Sequence, residues 1–200
     1  MQKPTLVYTI DDKRYLNITD RCTLRCTFCP KFCASPKVHE FDLSLAQRPE
    51  AEDVIDAMGN PADYREIVFC GFGEPTLRLR PLLKIAAHIK QRNGRVRLNT
   101  DGLANLVHKR NVLPELTGHV DALSVSMNAQ DETTYRQHCQ PALTGSFSAM
   151  LDFLKLAPDY IGEVTATAID GLDGVDIDAC RRMAEQRNVG FRRRVLDVVG

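Results

Sequence analysis

The chain has 200 residues, 44% of them apolar, and its 26 Lys and Arg are matched by 26 Asp and Glu. That corresponds to a single domain over residues 1–200 with enough apolar surface for a core, and the balanced charge supplies no global field toward nucleic acid or anionic lipid. Seven cysteines do not suit a secreted disulfide framework at this size, residues 1–5 carry no signal-peptide pattern, and no stretch nears the roughly 18 apolar residues of a membrane span, so a cytoplasmic protein is expected.

In chain order, six short segments read as strands: residues 15–19, 67–71, 96–100, 122–128, 164–169 and 191–196. Helical patterns lie between them. Pro49 with Glu50, Glu52 and Asp53 opens a helix that Gly59 stops, and Pro81 and Gly94 bracket the next. Residues 103–116 are helical but interrupted by Pro114, and residues 146–156 and 178–187 complete the set. Strand and helix in alternation predict βα units around a parallel sheet.

Directly after the first strand come Cys22, Cys26 and Cys29, spaced C-x3-C-x2-C, with Phe28 before the last. Three thiolates on so short a loop can hold three corners of a 4Fe-4S cube and leave the fourth iron without a protein ligand, whereas electron-transfer clusters close all four corners. Cys33 extends the run to C-x3-C-x2-C-x3-C, so a closed zinc or cluster site stays open as an alternative.

The second strand runs into Gly71, Phe72, Gly73, Glu74, Pro75 and Thr76. Two glycines let backbone approach a ligand without Cβ interference, and Glu74 could accept a hydrogen bond from a cationic amine. The later strands alternate. Leu123, Val125 and Met127 share one face of the fourth strand, and Ser124, Ser126 and Asn128 the other. Asn17 with Thr19, Arg97 with Asn99 and Asp101, Thr165 with Thr167, and Arg192 with Arg194 repeat the split. Polar faces turned to a common interior predict an α/β partial (β/α)6 barrel with an open side; polar faces that simply meet solvent are the alternative.

The cysteine spacing with Phe28, followed by Gly-x-Gly-Glu-Pro, resembles the radical S-adenosylmethionine (radical SAM) superfamily. The resemblance implies a 4Fe-4S cluster on Cys22, Cys26 and Cys29, with SAM on its open iron. Phe28 then packs near the adenine. Gly71, Phe72, Gly73 and Glu74 hold the methionyl end, by backbone carbonyls with Glu74 in support, and Phe72 departs from the commoner double glycine. Asn99 and Thr100 fall in a third-strand "TNG"-like segment with aspartate in place of asparagine, and Ser124, Ser126 and Asn128 fall near the ribose.

Within the superfamily, the runs at residues 15–19, 71–79, 98–106, 120–129 and 191–194 resemble the TatD family-associated radical SAM proteins. The implied reaction is reductive cleavage of SAM to a 5′-deoxyadenosyl radical that abstracts hydrogen from an unidentified substrate. Implied partners are an electron donor such as flavodoxin or ferredoxin and, functionally, a TatD-type nuclease. An activase that installs a glycyl radical on a partner protein, and a non-catalytic cluster- or zinc-binding module, are the competing readings.

Arg97, Arg192 and Arg194 are candidates for a substrate carboxylate or phosphate, against a solvated arginine cluster. Cys180 reads as packing, Cys139 as a loop residue near the site mouth, and the five histidines form no spaced ligand pair. The chain ends soon after the sixth strand, so the expectation is that substrate or a partner supplies the missing wall.

Overall fold

A computed structural model describes residues 4–32 and 36–196. Its centre is one seven-stranded sheet in sequential order. The chain enters through β1 (Val7–Ile10), turns back antiparallel into β2 (Lys13–Leu16), and after a long loop forms α1 (Ala51–Met58) and β3 (Glu66–Phe69). Next come α2 (Leu79–Lys90), β4 (Val96–Thr100), α3 (Ala104–His108), α4 (Leu113–Leu116), β5 (Ala122–Ser126), α5 (Glu132–Cys139), α6 (Ser146–Leu156), β6 (Glu163–Asp170), α7 (Ile177–Glu185) and β7 (Gly190–Val195). From β2 to β7 every pairing is parallel. Because β1 and β7 are the two ends of the strand order, the barrel stays open on one side, as expected. The six expected strands are β2 to β7.

Two elements were not foreseen. β1 is a four-residue hairpin partner whose Tyr8 stacks on Tyr15 with ring centroids 5.0 Å apart. α5 has little apolar content, yet it buries Thr134, Tyr135, His138 and Cys139 along one stripe, and its start is capped by Asp131, which accepts from the Thr134 amide at 2.8 Å. The interrupted helix at 103–116 becomes two, with Lys109 left-handed between them (φ 53°) and Pro114 in the first turn of the second.

One face of the sheet packs on helices. Leu16, Ile67, Phe69, Leu98, Leu123, Val125, Ala166 and Ala168 meet Val54, Met58, Leu82, Ile85, Ile89, Phe153 and Leu154 in a continuous core. The other face is polar and largely enclosed, with Ser124, Asn128 and Thr167 buried and Ser126 half-buried. The expectation of an enclosed polar interior holds, and the solvent-facing alternative does not.

Candidate cofactor site

Parallel strands carry their ligand-facing loops at their C-terminal ends, and the predicted residues gather there. The cysteine loop follows β2 and is strapped to the end of α5. Arg25 N–H donates to the Cys139 carbonyl at 3.0 Å, Thr27 N–H to the His138 carbonyl at 2.8 Å, and Ala142 N–H to the Thr23 carbonyl at 3.0 Å. Within the loop, Cys29 N–H donates to the Cys26 carbonyl at 3.1 Å and Leu24 N–H reaches the Cys22 sulfur at 3.4 Å. Cys22 is exposed as a residue; Cys26 and Cys29 are half-buried. Phe28 is half-buried against the main core. Cys33 lies outside the described residues, so the four-cysteine alternative acquires no geometry.

The glycine turn docks on the base of that loop. A Cβ on Gly73 would stand 2.6 Å from the Thr19 carbonyl oxygen and 2.7 Å from the Arg21 nitrogen, and one on Gly71 would stand 2.9 Å from the Asn17 amide carbon. Glu74 N–H then donates to the Arg21 carbonyl at 2.8 Å. Close contact within the chain itself therefore requires both glycines first, Gly73 against backbone and Gly71 against the Asn17 side chain.

Glu74 sits behind this turn, 3% exposed. One carboxylate oxygen accepts from Thr76 N–H (3.0 Å), the Thr76 hydroxyl (2.7 Å) and the Thr100 hydroxyl (2.9 Å); the other accepts from Asp101 N–H at 2.7 Å. Glu74 is the brace that ties the turn to β4, which leaves the backbone carbonyls of the turn as the groups available to a ligand amine. Asp101, also buried, accepts from the Thr23 hydroxyl and from Leu103 N–H (2.9 Å). Both Asp101 and Thr23 were absent from the sequence-based set. Their signal was the aspartate in the third-strand segment, which links β4 to the cysteine loop.

Electrostatics mark the region as short of positive charge. Burial, then the neighbouring Asp101 carboxylate, pushes Glu74 upward, and burial also raises Asp101. Loss of solvation, helped by Asp101 and Glu74, pushes the Cys22 thiol up to about 12. A hydrogen bond with Cys139, burial, and the nearby Cys139, Cys22 and Cys29 sulfurs push Cys26 up further. A bound cation reverses this, because a coordinating thiol is deprotonated outright.

The other predicted residues divide. Ser124 is buried, and Thr100 is spent on Glu74 and on Gly102 N–H (3.1 Å). Asn128 adopts φ 62° and turns its amide nitrogen to the Cys139 sulfur at 3.6 Å, while its Oδ1, like the Oδ1 of Asn99, is buried without a partner. Phe72 packs with Tyr8 and Leu43 in a separate apolar cluster. Arg97 does not join the site: at the opposite, N-terminal end of the strands it donates to Glu66 at 2.7 Å and Glu163 at 3.2 Å. Cys180 is fully buried in the core, and His108 and His138 hold the carbonyls of Thr76 and Asp173 at 2.8 and 2.7 Å.

The donor set suits a cluster with an organic partner. The three thiols share one loop within electrostatic range of one another. Near Cys26, through Cys139, lies the unpaired amide oxygen of Asn128, and near Cys70 that of Asn99; both would accept from ligand hydroxyls or amines.

Comparison with known proteins agrees. The family model described as "Radical SAM superfamily" matches residues 16–186. No curated protein matches. Among solved structures, SuiB of Streptococcus suis bound to the precursor peptide SuiA superposes with a TM-score of 0.68 at 12% identity, over 90% of this chain and 38% of that one. Methylornithine synthase (PylB) gives 0.60 at 13% identity, over 92% and 53%. The methyltransferase TsrM of Kitasatospora setae, with cobalamin and a [4Fe-4S] cluster bound, gives 0.57 at 14%, over 88% and 35%. The chain thus spans from about a third to about half the length of these proteins, and the likeness to them is one of fold.

Proposed function

The chain belongs to the radical SAM superfamily, a family of enzymes that use a 4Fe-4S cluster and SAM, and on that premise we propose that it binds the cluster through Cys22, Cys26 and Cys29 and uses SAM for hydrogen abstraction from a substrate. When bound, the two groups supply one-electron cleavage of SAM to methionine and a 5′-deoxyadenosyl radical. The chain's own residues position them. The strap from residues 138–142 and the Gly71–Glu74 turn both hold the cysteine loop, the turn's carbonyls would accept from the amine of a sulfonium amino acid, and Asn99, Ser124, Ser126 and Asn128 would offer hydrogen bonds to its ribose. The enclosing β5 and β6 faces exclude bulk water from the reacting centre.

The observation that carries this reading is the docking of the glycine turn and Glu74 on the base of the cysteine loop. It makes the two motifs one structure. The closer assignment to the TatD-associated group, an electron donor such as flavodoxin or ferredoxin, a functional link to a TatD-type nuclease and a cytoplasmic, reducing setting belong to the same proposal. Among the described residues no helix is long and apolar enough to cross a membrane.

Anaerobic reconstitution with measurement of iron, sulfide and 5′-deoxyadenosine tests it. About four irons per chain and reductant-dependent 5′-deoxyadenosine are expected, both lost in Cys22→Ala, Cys26→Ala and Cys29→Ala and kept in Cys33→Ala. Binding of a single zinc that depends on Cys33 would overturn it.

A further inference from the structure

The polar interior holds three groups of charged side chains, and they are met in different ways. At the N-terminal end, Arg95 and Arg97 meet Glu66 and Glu163 in a closed four-residue network. At the C-terminal end, Glu74 and Asp101 are satisfied by their own hydroxyls and amides. On the edge strand, β7 presents two further guanidinium groups. Arg192 pairs in register with Thr167, and Arg194 with Ile169; Thr167 in turn pairs with Ser126 across β5, so both arginines stand on the inward face of the edge strand, Arg194 half-buried and Arg192 exposed at the open side. Arg193, which alternates to the other face, has its own partner in Asp170.

Among the described residues neither inward-facing arginine has one: no carboxylate forms an ion pair with Arg192 or Arg194, and the Arg194 Nε is buried with no hydrogen-bond acceptor. Burial, then repulsion from Arg194 and Arg97, lowers Arg192 from its ordinary value. Nearby are the Cys70 thiol, which lies in the field of Arg194, and the unpaired Asn99 Oδ1. Two like charges held together and partly desolvated are costly unless an anion joins them, and a guanidinium fork is shaped for a carboxylate or phosphoryl group.

We propose that Arg192 and Arg194 form an oxyanion subsite on the inward face of β7 that holds a carboxylate or phosphoryl group of the substrate. This rests on the radical SAM reading for the word substrate, but not for the binding itself. An oxyanion taken there neutralises two guanidinium groups that no carboxylate of the described residues meets.

The test uses the full chain, reconstituted anaerobically, and titrates it with inorganic phosphate and separately with succinate against chloride at matched ionic strength, by calorimetry, with and without saturating SAM. Saturable binding of at least one probe in the millimolar range or tighter is expected, and the tighter probe identifies phosphoryl or carboxylate as the natural group. Arg194→Gln and Arg192→Gln should each weaken it at least tenfold, Arg194→Lys less, and Arg193→Gln not at all; circular dichroism confirms that each variant is folded. No binding beyond the chloride control, equal binding in Arg194→Gln and Arg192→Gln, or binding abolished by SAM, which would assign the arginines to SAM's own carboxylate, overturns the subsite. Because 5′-deoxyadenosine formation is measured separately, failure of the subsite and failure of the radical SAM reading remain distinguishable.

Discussion

At the residue scale, Gly73 shows how a motif can be recognised for one reason and required for another. The sequence suggests a glycine that opens space for a ligand, while the structure finds the space already filled by Thr19 and Arg21 backbone. Backbone does not yield as the end of a side chain does, so Gly73→Ala should push the turn away from the cysteine loop. The expected cost is about 1–3 kcal/mol, the range for inserting a methyl into a packed site, with a lower urea midpoint and fewer irons retained per chain after reconstitution. Glu74 and Arg97 illustrate the limits of residue-level reading. Arg97 lies on a predicted polar face and Glu74 in the glycine motif, but only the three-dimensional partners reveal that Glu74 is spent on Thr76, Thr100 and Asp101 N–H and that Arg97 belongs to a salt-bridge network at the other end of the strands.

At the element scale, the parallel strands were legible because apolar and polar residues alternate along them, and one face had to be covered. β1 was not, since four residues with a single fully buried side chain carry too short a pattern. α5 was missed because its residues are mostly polar; its cap, Asp131 with Thr134, was the available signal. That helix matters because its last residues hold the cysteine loop. Asp131→Ala should remove the cap at about 1 kcal/mol and lower the melting temperature by about 2–4 °C for a chain of this size. It should also speed iron loss to a chelator, although the substituted residue touches no cysteine. The network joining β3, β4 and β6 has its own signature. Burial pushes the Glu66 carboxyl up, but Arg97 and Arg95 outweigh it and hold the group below its ordinary value of 4.5. A depressed carboxyl stabilises the fold above its unfolded pKa and loses that contribution as pH falls through the folded one. Glu66→Gln should therefore cost about 1 kcal/mol at pH 7, since Arg95 and Arg97 keep their half-exposed partner Glu163. The gap from the parent should narrow below pH 4.5, as read from urea unfolding of both proteins across that window.

At the scale of the whole molecule, the barrel encloses polar groups that a core would ordinarily exclude. The Asn99 and Asn128 amide oxygens and the Arg194 Nε are buried without partners, and each such group costs about 1–3 kcal/mol while it stays unmet. The chain tolerates this because its helix-covered face carries a continuous apolar core, so the interior can be left waiting for ligands. Loading should then be a folding event as well as a catalytic one. A ligand at one hundred times its dissociation constant stabilises the folded state by about 2.7 kcal/mol, and at about 2–4 °C per kcal/mol this predicts a rise of roughly 5–10 °C in the melting temperature when SAM is added to the reconstituted protein. The rise should shrink in Asn128→Ala, which removes an interior acceptor, and persist in Arg181→Ala, whose exposed side chain pairs with Asp178 on α7. Anaerobic scanning calorimetry with SAM and with methionine alone separates the contributions of its two ends. A reconstituted protein that carries about four irons yet shows no shift with SAM would mean that the polar interior serves another ligand.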